Sequence, residues 1–223
     1  MARRSMREEL VEAALDQFHA RGFNAAGVKD ITDSAGVPKG SFYNHFESKE
    51  ALAVVALQRF GESRRLEDLA NESVPPLARL RAHFEFLRDE TVQRGFARGC
   101  LVGNFGTEVS DHSETIRAAV QQSLQRWAEL IAAVLAEAQR TGTVRAGLDP
   151  QATARFVLNA WEGTLIEARA SRSMTAFDTF FGLVFGTLLT SDATGPTPRG
   201  TPRRGQGTAR EALSTPIVPS PSQ

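Results

Sequence analysis

From Pro38 to Lys49 the chain reads Pro-Lys-Gly-Ser-Phe-Tyr-Asn-His-Phe-Glu-Ser-Lys. Lys39, Ser41, Tyr43, Asn44 and His45 crowd polar and cationic groups into about a turn and a half of helix. No catalytic arrangement accompanies them. The chain has no metal-ligand spacing and no glycine-rich phosphate loop. Many hydrogen-bonding side chains on one short helix suit the base edges and phosphates of a nucleic-acid groove. Gly40 leaves space for close approach to a duplex. Lys49 opens the next helix, where an ammonium and a helix N-terminus both favour phosphate. Phe42 and Phe46 are expected behind this surface, as anchors.

The preceding elements must position that stretch. Residues 5 to 20 carry a helical period, with Leu10, Val11, Ala14, Leu15 and Phe18 on one face. Ser5 followed by Glu8 is a capping-box signature, and Gly22 suits the helix end. Val28, Ile31 and Ala35 mark a short second helix with Gly27 at its N-cap. Gly36-Val37-Pro38 makes a tight turn, and Lys39 to Phe46 forms a third helix. Helix, glycine turn and short helix together make a helix-turn-helix, whose second helix is free to enter a major groove.

The string from Gly36 to Leu52 closely resembles the signature of TetR-family regulators. Its context agrees: an amphipathic first helix ending in Phe18, then Arg21-Gly22-Phe23 and Asp30-Ile31. The resemblance covers about residues 5 to 55. It implies an all-α fold, with a three-helix DNA-binding headpiece and a C-terminal helical domain for ligand binding and dimerisation. It implies a repressor that binds a palindromic double-stranded DNA operator as a homodimer and is released by a small-molecule or electrophile inducer. Carried over by position, Lys39, Ser41, Tyr43, His45 and Lys49 look like the family's DNA-contacting residues. Gly40 and Asn44 join them in the candidate surface. Lys39 and Lys49 would neutralise phosphates, and Ser41 and Gly40 would face base edges. Gly27 and Pro38 stand where the family more often has a hydroxyl side chain. Arg3, Arg4 and Arg7 are candidates for further backbone contacts.

Composition limits the alternatives. The 223 residues carry 26 Lys and Arg against 26 Asp and Glu. Basic and acidic residues also balance over residues 1 to 60. DNA binding must therefore come from charge segregated on one face, not from a bulk field. There is one cysteine, Cys100, so no internal disulfide framework exists and a reducing, cytoplasmic setting is expected. No secretory signal and no run long enough to span a membrane is evident. No cofactor or metal is expected.

Beyond Ser48 a fourth helix is expected to about Ala70. Further helices follow at about 76–94, 99–109, 112–141, from Pro150, and 175–190. Residues 1–48 read as the DNA-binding domain, 49–190 as the sensing and dimerisation domain, and 191–223 as a disordered Pro/Gly-rich tail. The stretch Arg98-Gly99-Cys100-Leu101 resembles a TetR subgroup in which such a segment opens the sixth helix. Some members of that subgroup respond to electrophiles or small unsaturated acids. Cys100 at a helix N-terminus near Arg98 reads as a thiol of lowered pKa, or else as a small buried apolar residue. Asn104, Glu108, Trp127 and Trp161 are pocket candidates, although core packing also explains both tryptophans. Phe156, Trp161, Phe177, Phe181 and Phe185 give the last two helices more apolar surface than one packing face uses, so a dimer interface is expected there. Gly182 and Gly186 would permit close helix approach. Two rival classes remain. An enzyme would use Cys100 with His83 or His112. A helical adaptor would have no use for the polar cluster on the third helix.

Overall fold

The computed structural model describes residues 5–191. The expected tail, Arg3 and Arg4 lie outside the described residues, apart from Ser191 at the tail's start. The described residues are helical, with no strand among them. Helix α1 (Met6–Arg21) begins where the Ser5 hydroxyl accepts from the Glu8 amide, 3.3 Å away. Helix α2 (Val28–Ala35) begins where the Asp30 carboxylate accepts from the Gly27 amide. It ends at Gly36, whose φ of 67° is left-handed. The Val37 amide then reaches back to the Thr32 carbonyl at 3.0 Å, which closes the corner.

The stretch expected as a third α-helix is a tighter 3-10 turn, Lys39–Asn44. Pro38 has no amide to donate and Gly40 weakens helix propagation, so a run this short winds three residues to the turn. Its first bond runs from the Ser41 amide to the Pro38 carbonyl. Helix α3 (Lys49–Glu62) starts under the Ser48 hydroxyl, which accepts from the Ala51 amide. It stops earlier than its pattern predicts. Arg65 takes a left-handed φ of 54°, and a 3-10 turn follows at Leu66–Ala70. The cause is tertiary. Arg64 folds inward over the Phe60 ring, at 4.3 Å, and pairs with Glu90.

Helices α4 (Pro76–Gln93), α5 (Leu101–Glu108), α6 (Glu114–Arg140), α7 (Pro150–Ser171) and α8 (Thr175–Leu183) follow close to the expected positions. A single π turn, Val184–Leu188, ends the last of them and buries both Val184 and Leu189. Helices α1 to α3 share a core of Leu10, Phe18, Ile31, Phe42 and Leu52. Helices α4 to α8 close around Phe84, Trp161, Phe177 and Phe180, whose rings meet at 5.0 to 5.6 Å. Helix α3 packs on both α1 and α6, and α5 packs on α3 and α6. These two helices join the headpiece to the larger helical body.

Candidate nucleic-acid interface and sensor cavity

The 3-10 turn stands out from the headpiece. Phe42 is fully buried and Phe46 nearly so, with their rings 5.9 Å apart. Burying a phenylalanine side chain stabilises by about 1.5–3 kcal/mol, and two of them hold this turn from behind. Lys39, Gly40, Asn44 and His45 are exposed, and Tyr43 is 63% exposed. Tyr43 lies edge-on to Phe42 at 5.1 Å, which fixes its ring while its hydroxyl end faces outward. Ser41 is half-buried, and its hydroxyl donates to the Pro38 carbonyl at 2.6 Å. Arg7 joins the same region by lying over the Phe46 ring. Three of the four acids of α1 are held by arginines: Arg59 binds Glu8 and Glu12, and Arg98 binds Asp16. Among the described residues Lys39 has no ion-pair partner.

Lys49 is held differently from Lys39. It donates to the carbonyls of Phe23, at 3.0 Å, and Ala26, at 3.4 Å, and sits 4.0 Å from the Phe23 ring centre. Burial lowers its pKa. It ties the loop between α1 and α2 to the start of α3.

Glu108 is likewise engaged within the chain. The carboxylate expected in a ligand pocket accepts instead from the amides of Phe23, at 3.0 Å, and Asn24, at 2.8 Å. It reaches them because residue 22 is glycine: a Cβ there would meet its Oε2 at 2.6 Å. At the other end of α5 the His19 ring donates to the Gly99 carbonyl at 2.8 Å. Phe105 packs between, on Phe18 and Phe23. Helix α5 is thus tied to α1 just before its start, through His19, and to the loop after α1 at its end, through Glu108. Asn104 also faces its own loop, its amide donating to the Arg98 carbonyl at 2.8 Å.

A cavity of about 20 Å³ lies among Phe60, Arg64, Glu90, Cys100, Trp127 and Trp161. It holds roughly one water. A groove of about 710 Å³ opens between α3 and α6 and shares Phe60, Arg64 and Trp127 with that cavity. Those three side chains form the wall between them. The groove's volume falls in the range of small-molecule sites.

The thiol follows the second of its two expected readings, a buried residue. Cys100 is buried, and burial first, then the Glu162 charge, push its pKa well above the usual thiol value. Arg98, expected to lower it, pairs with Asp16. Trp127 donates its indole N–H to His83 Nε2 at 3.1 Å. Burial lowers the pKa of His83, and likewise of His19, to about 4. Among the described residues no cluster of three or more His, Cys, Asp or Glu could hold a metal ion.

The expected dimer residues divide. Trp161 and Phe177 are fully buried in the protomer's own core, and Phe181 is 8% exposed. Phe185 is half-buried against Phe181. Phe156 is exposed, as are Ile166 and Leu183, which the sequence reading passed over. Gly163, Gly182 and Gly186 have open space above them. An apolar count along a helix cannot separate the side chains used inward from those left outside. No helix among the described residues is long and apolar enough to cross a membrane.

Residues 10–56 match the family model described as "Bacterial regulatory proteins, tetR family", and residues 76–183 match "Tetracyclin repressor-like, C-terminal domain". The HTH-type transcriptional repressor DhaR of Mycobacterium sp. (strain GP1) is 39% identical over 197 residues, 86% of this chain and 96% of that one. The transcriptional regulator AcuR of Cereibacter sphaeroides is 35% identical over 165 residues, 73% of this chain and 75% of that one. The crystal structure of E. coli NemR in its reduced form superposes with a TM-score of 0.75 at 28% identity, covering 83% of this chain and 98% of that one.

Proposed function

The chain belongs to the TetR family of transcriptional regulators, and on that premise we propose that it is a cytoplasmic repressor. It binds a palindromic DNA operator as a homodimer, and a small molecule or electrophile releases it. The observation that carries this reading is the exposed turn of Lys39, Gly40, Ser41, Tyr43, Asn44 and His45, anchored from behind by Phe42 and Phe46. Lys39 would neutralise a phosphate, while Tyr43 and His45 would contact the backbone, or a thymine methyl in the case of Tyr43. Residues 1–48 act as the reading unit and 49–190 as the sensing and pairing unit.

One such turn reads too few base pairs for useful specificity, so two must act together. Phe156, Ile166 and Leu183, with the open glycines beside them, support pairing through the outer faces of α7 and α8. The effector would act at the cavity beside Cys100. Helix α3 runs from the reading turn to Phe60, beside the cavity, and α5 runs from Cys100 to Glu108, at the headpiece. A molecule that needs more than one water's volume must move Phe60, Arg64 or Cys100. It therefore favours a conformer with a different headpiece spacing.

A mobility-shift titration with the DNA upstream of the chain's own gene tests the reading. Tight binding that collapses in Lys39→Ala and Tyr43→Ala, with a dimer in sedimentation, is the expected result. No shift at low salt, or a monomer at micromolar concentration, would overturn it.

A further inference from the structure

Lysine and arginine are not spread alike along this chain. Of its 26 cationic side chains 23 are arginine, and the three lysines are Lys29, Lys39 and Lys49. All three fall in the helix-turn-helix or on the first residue of α3, and from Glu50 onward there is none. Both residue types supply positive charge. Only a lysine amine can lose its proton and take an acyl group, whereas a guanidinium keeps its charge. An activated acyl donor therefore finds side-chain amines in this one region alone.

The three amines are not equivalent. Lys29 is paired with Asp33 at 2.7 Å, and that hydrogen bond first, then the carboxylate's charge, raise its pKa. Its nitrogen is held as ammonium, which is no nucleophile. Burial lowers the pKa of Lys49, so its neutral form is easier to reach. That nitrogen is nevertheless covered by the Phe23 and Ala26 carbonyls and the Phe23 ring. An acyl carbon must approach along the nitrogen lone pair, and those three groups stand in its way. Lys39 meets neither obstacle. It is exposed and has no ion-pair partner among the described residues. A Cβ on the neighbouring Gly40 would meet nothing within 4 Å, and Tyr43, four residues on, is exposed. The approach to its amine is open.

We propose that Lys39 is an acyl-acceptor site for small activated acyl donors, and that its acylation silences the reading turn. This rests on the reading of that turn as the DNA surface. The Lys39 ammonium first gives a proton to water. Its nitrogen then bonds to the acyl carbon of an acyl phosphate or thioester. The C–O or C–S bond breaks, and its electron pair leaves on the phosphate or thiolate. A second nitrogen proton passes to the leaving group. The product is a neutral amide, and no oxidant or reductant is consumed. A cation able to pair with a phosphate becomes a longer side chain without charge. In a dimer two such cations are lost together. No side-chain amine lies beyond Lys49, so the modification acts on DNA contact and leaves the rest of the helical body as it was.

The test treats the full chain with acetyl phosphate in one arm and acetyl-coenzyme A in the other. Each lysine is followed by peptide mass spectrometry, with operator binding measured on the same samples. Lys39 should be modified at least several-fold faster than Lys29 or Lys49, and the faster arm identifies the donor. Operator affinity should fall by about tenfold or more as the acylated fraction of Lys39 approaches completion. Lys39→Arg, compared with its own untreated sample, should lose less than about twofold, since its guanidinium does not acylate. Three results would overturn the proposal: no modification of Lys39 in either arm, equal modification of the three lysines, or a treated Lys39→Arg that loses as much affinity as wild type. Untreated protein that binds no operator overturns the repressor reading instead, and the silencing with it, while the mass spectra still decide which lysine accepts the acyl group.

Discussion

At the residue scale, two lysines ten positions apart look alike in the sequence and do different work. Lys39 is exposed and has no ion-pair partner among the described residues. Lys49 is committed to two carbonyls and a ring. On the proposed reading, replacing Lys39 by alanine removes a phosphate contact. The slope of log K against log salt should fall by about 0.9, the counterion release of one phosphate, with thermal stability unchanged. Replacing Lys49 by methionine removes charge-assisted hydrogen bonds from inside the headpiece. It should cost about 1–3 kcal/mol in urea unfolding and leave the salt slope as it was. A Lys49 variant with wild-type stability and a reduced slope would return this residue to the DNA surface. The distinction was not legible beforehand. Lys49 meets Phe23 and Ala26 only because the loop between α1 and α2 folds back over the start of α3, and spacing along the chain carries no trace of that. The group from Lys39 to His45 was legible, because its polar side chains stand between phenylalanines that can only be buried.

At the element scale, local signals served where local physics decides. Ser5 and Ser48 cap the helices they were expected to open or precede, and Ser113 and Asp149 cap α6 and α7. The end of α3 was misread because Glu90, 26 residues further on, turns Arg64 inward. Helix α5 shows the same limit. Its sequence suggested a sensor helix, yet its contacts make it equally a strut. Gly99, just before its start, binds His19 of α1 and Glu108, at its end, binds the loop after α1, with Phe105 packed between. Glu108→Gln keeps the shape but lowers the acceptor strength offered to the Phe23 and Asn24 amides. Those two amides should exchange hydrogen at least several-fold faster in the variant, while amides in the middle of α7 keep their wild-type rates. Unchanged exchange at Phe23 and Asn24 would show that the aromatic packing holds the loop without the carboxylate. Faster exchange together with weaker operator binding would trace coupling along α5, since the helix also carries Cys100 at its other end.

At the scale of the whole molecule, the buried titratable groups set how the fold meets acid. His19 joins the two halves of the protein and His83 lies beneath Trp127. Burial holds both at about 4 instead of 6.5. A depressed pKa means that the folded state refuses a proton the unfolded chain accepts. The stability contributed is present above pH 6.5 and is lost as pH falls toward 4, by roughly 3 kcal/mol for each histidine. Glu162 works in the opposite sense. Its pKa is raised from 4.5 to about 6, so the folded state gains relative to the unfolded as pH falls through that interval, by about 2 kcal/mol. The histidines outweigh it, and the net loss between pH 6.5 and 4 comes to about 4 kcal/mol. That is a large share of the 5–15 kcal/mol typical of a domain. Urea midpoints at fixed protein concentration should therefore drop steeply from pH 7 to pH 4.5. His83→Gln, which can still accept from the Trp127 indole, should flatten the drop by about three-quarters. A midpoint constant across that range would mean that the two rings reach water in the folded state, and the enclosed core around Trp127 would have to be redrawn.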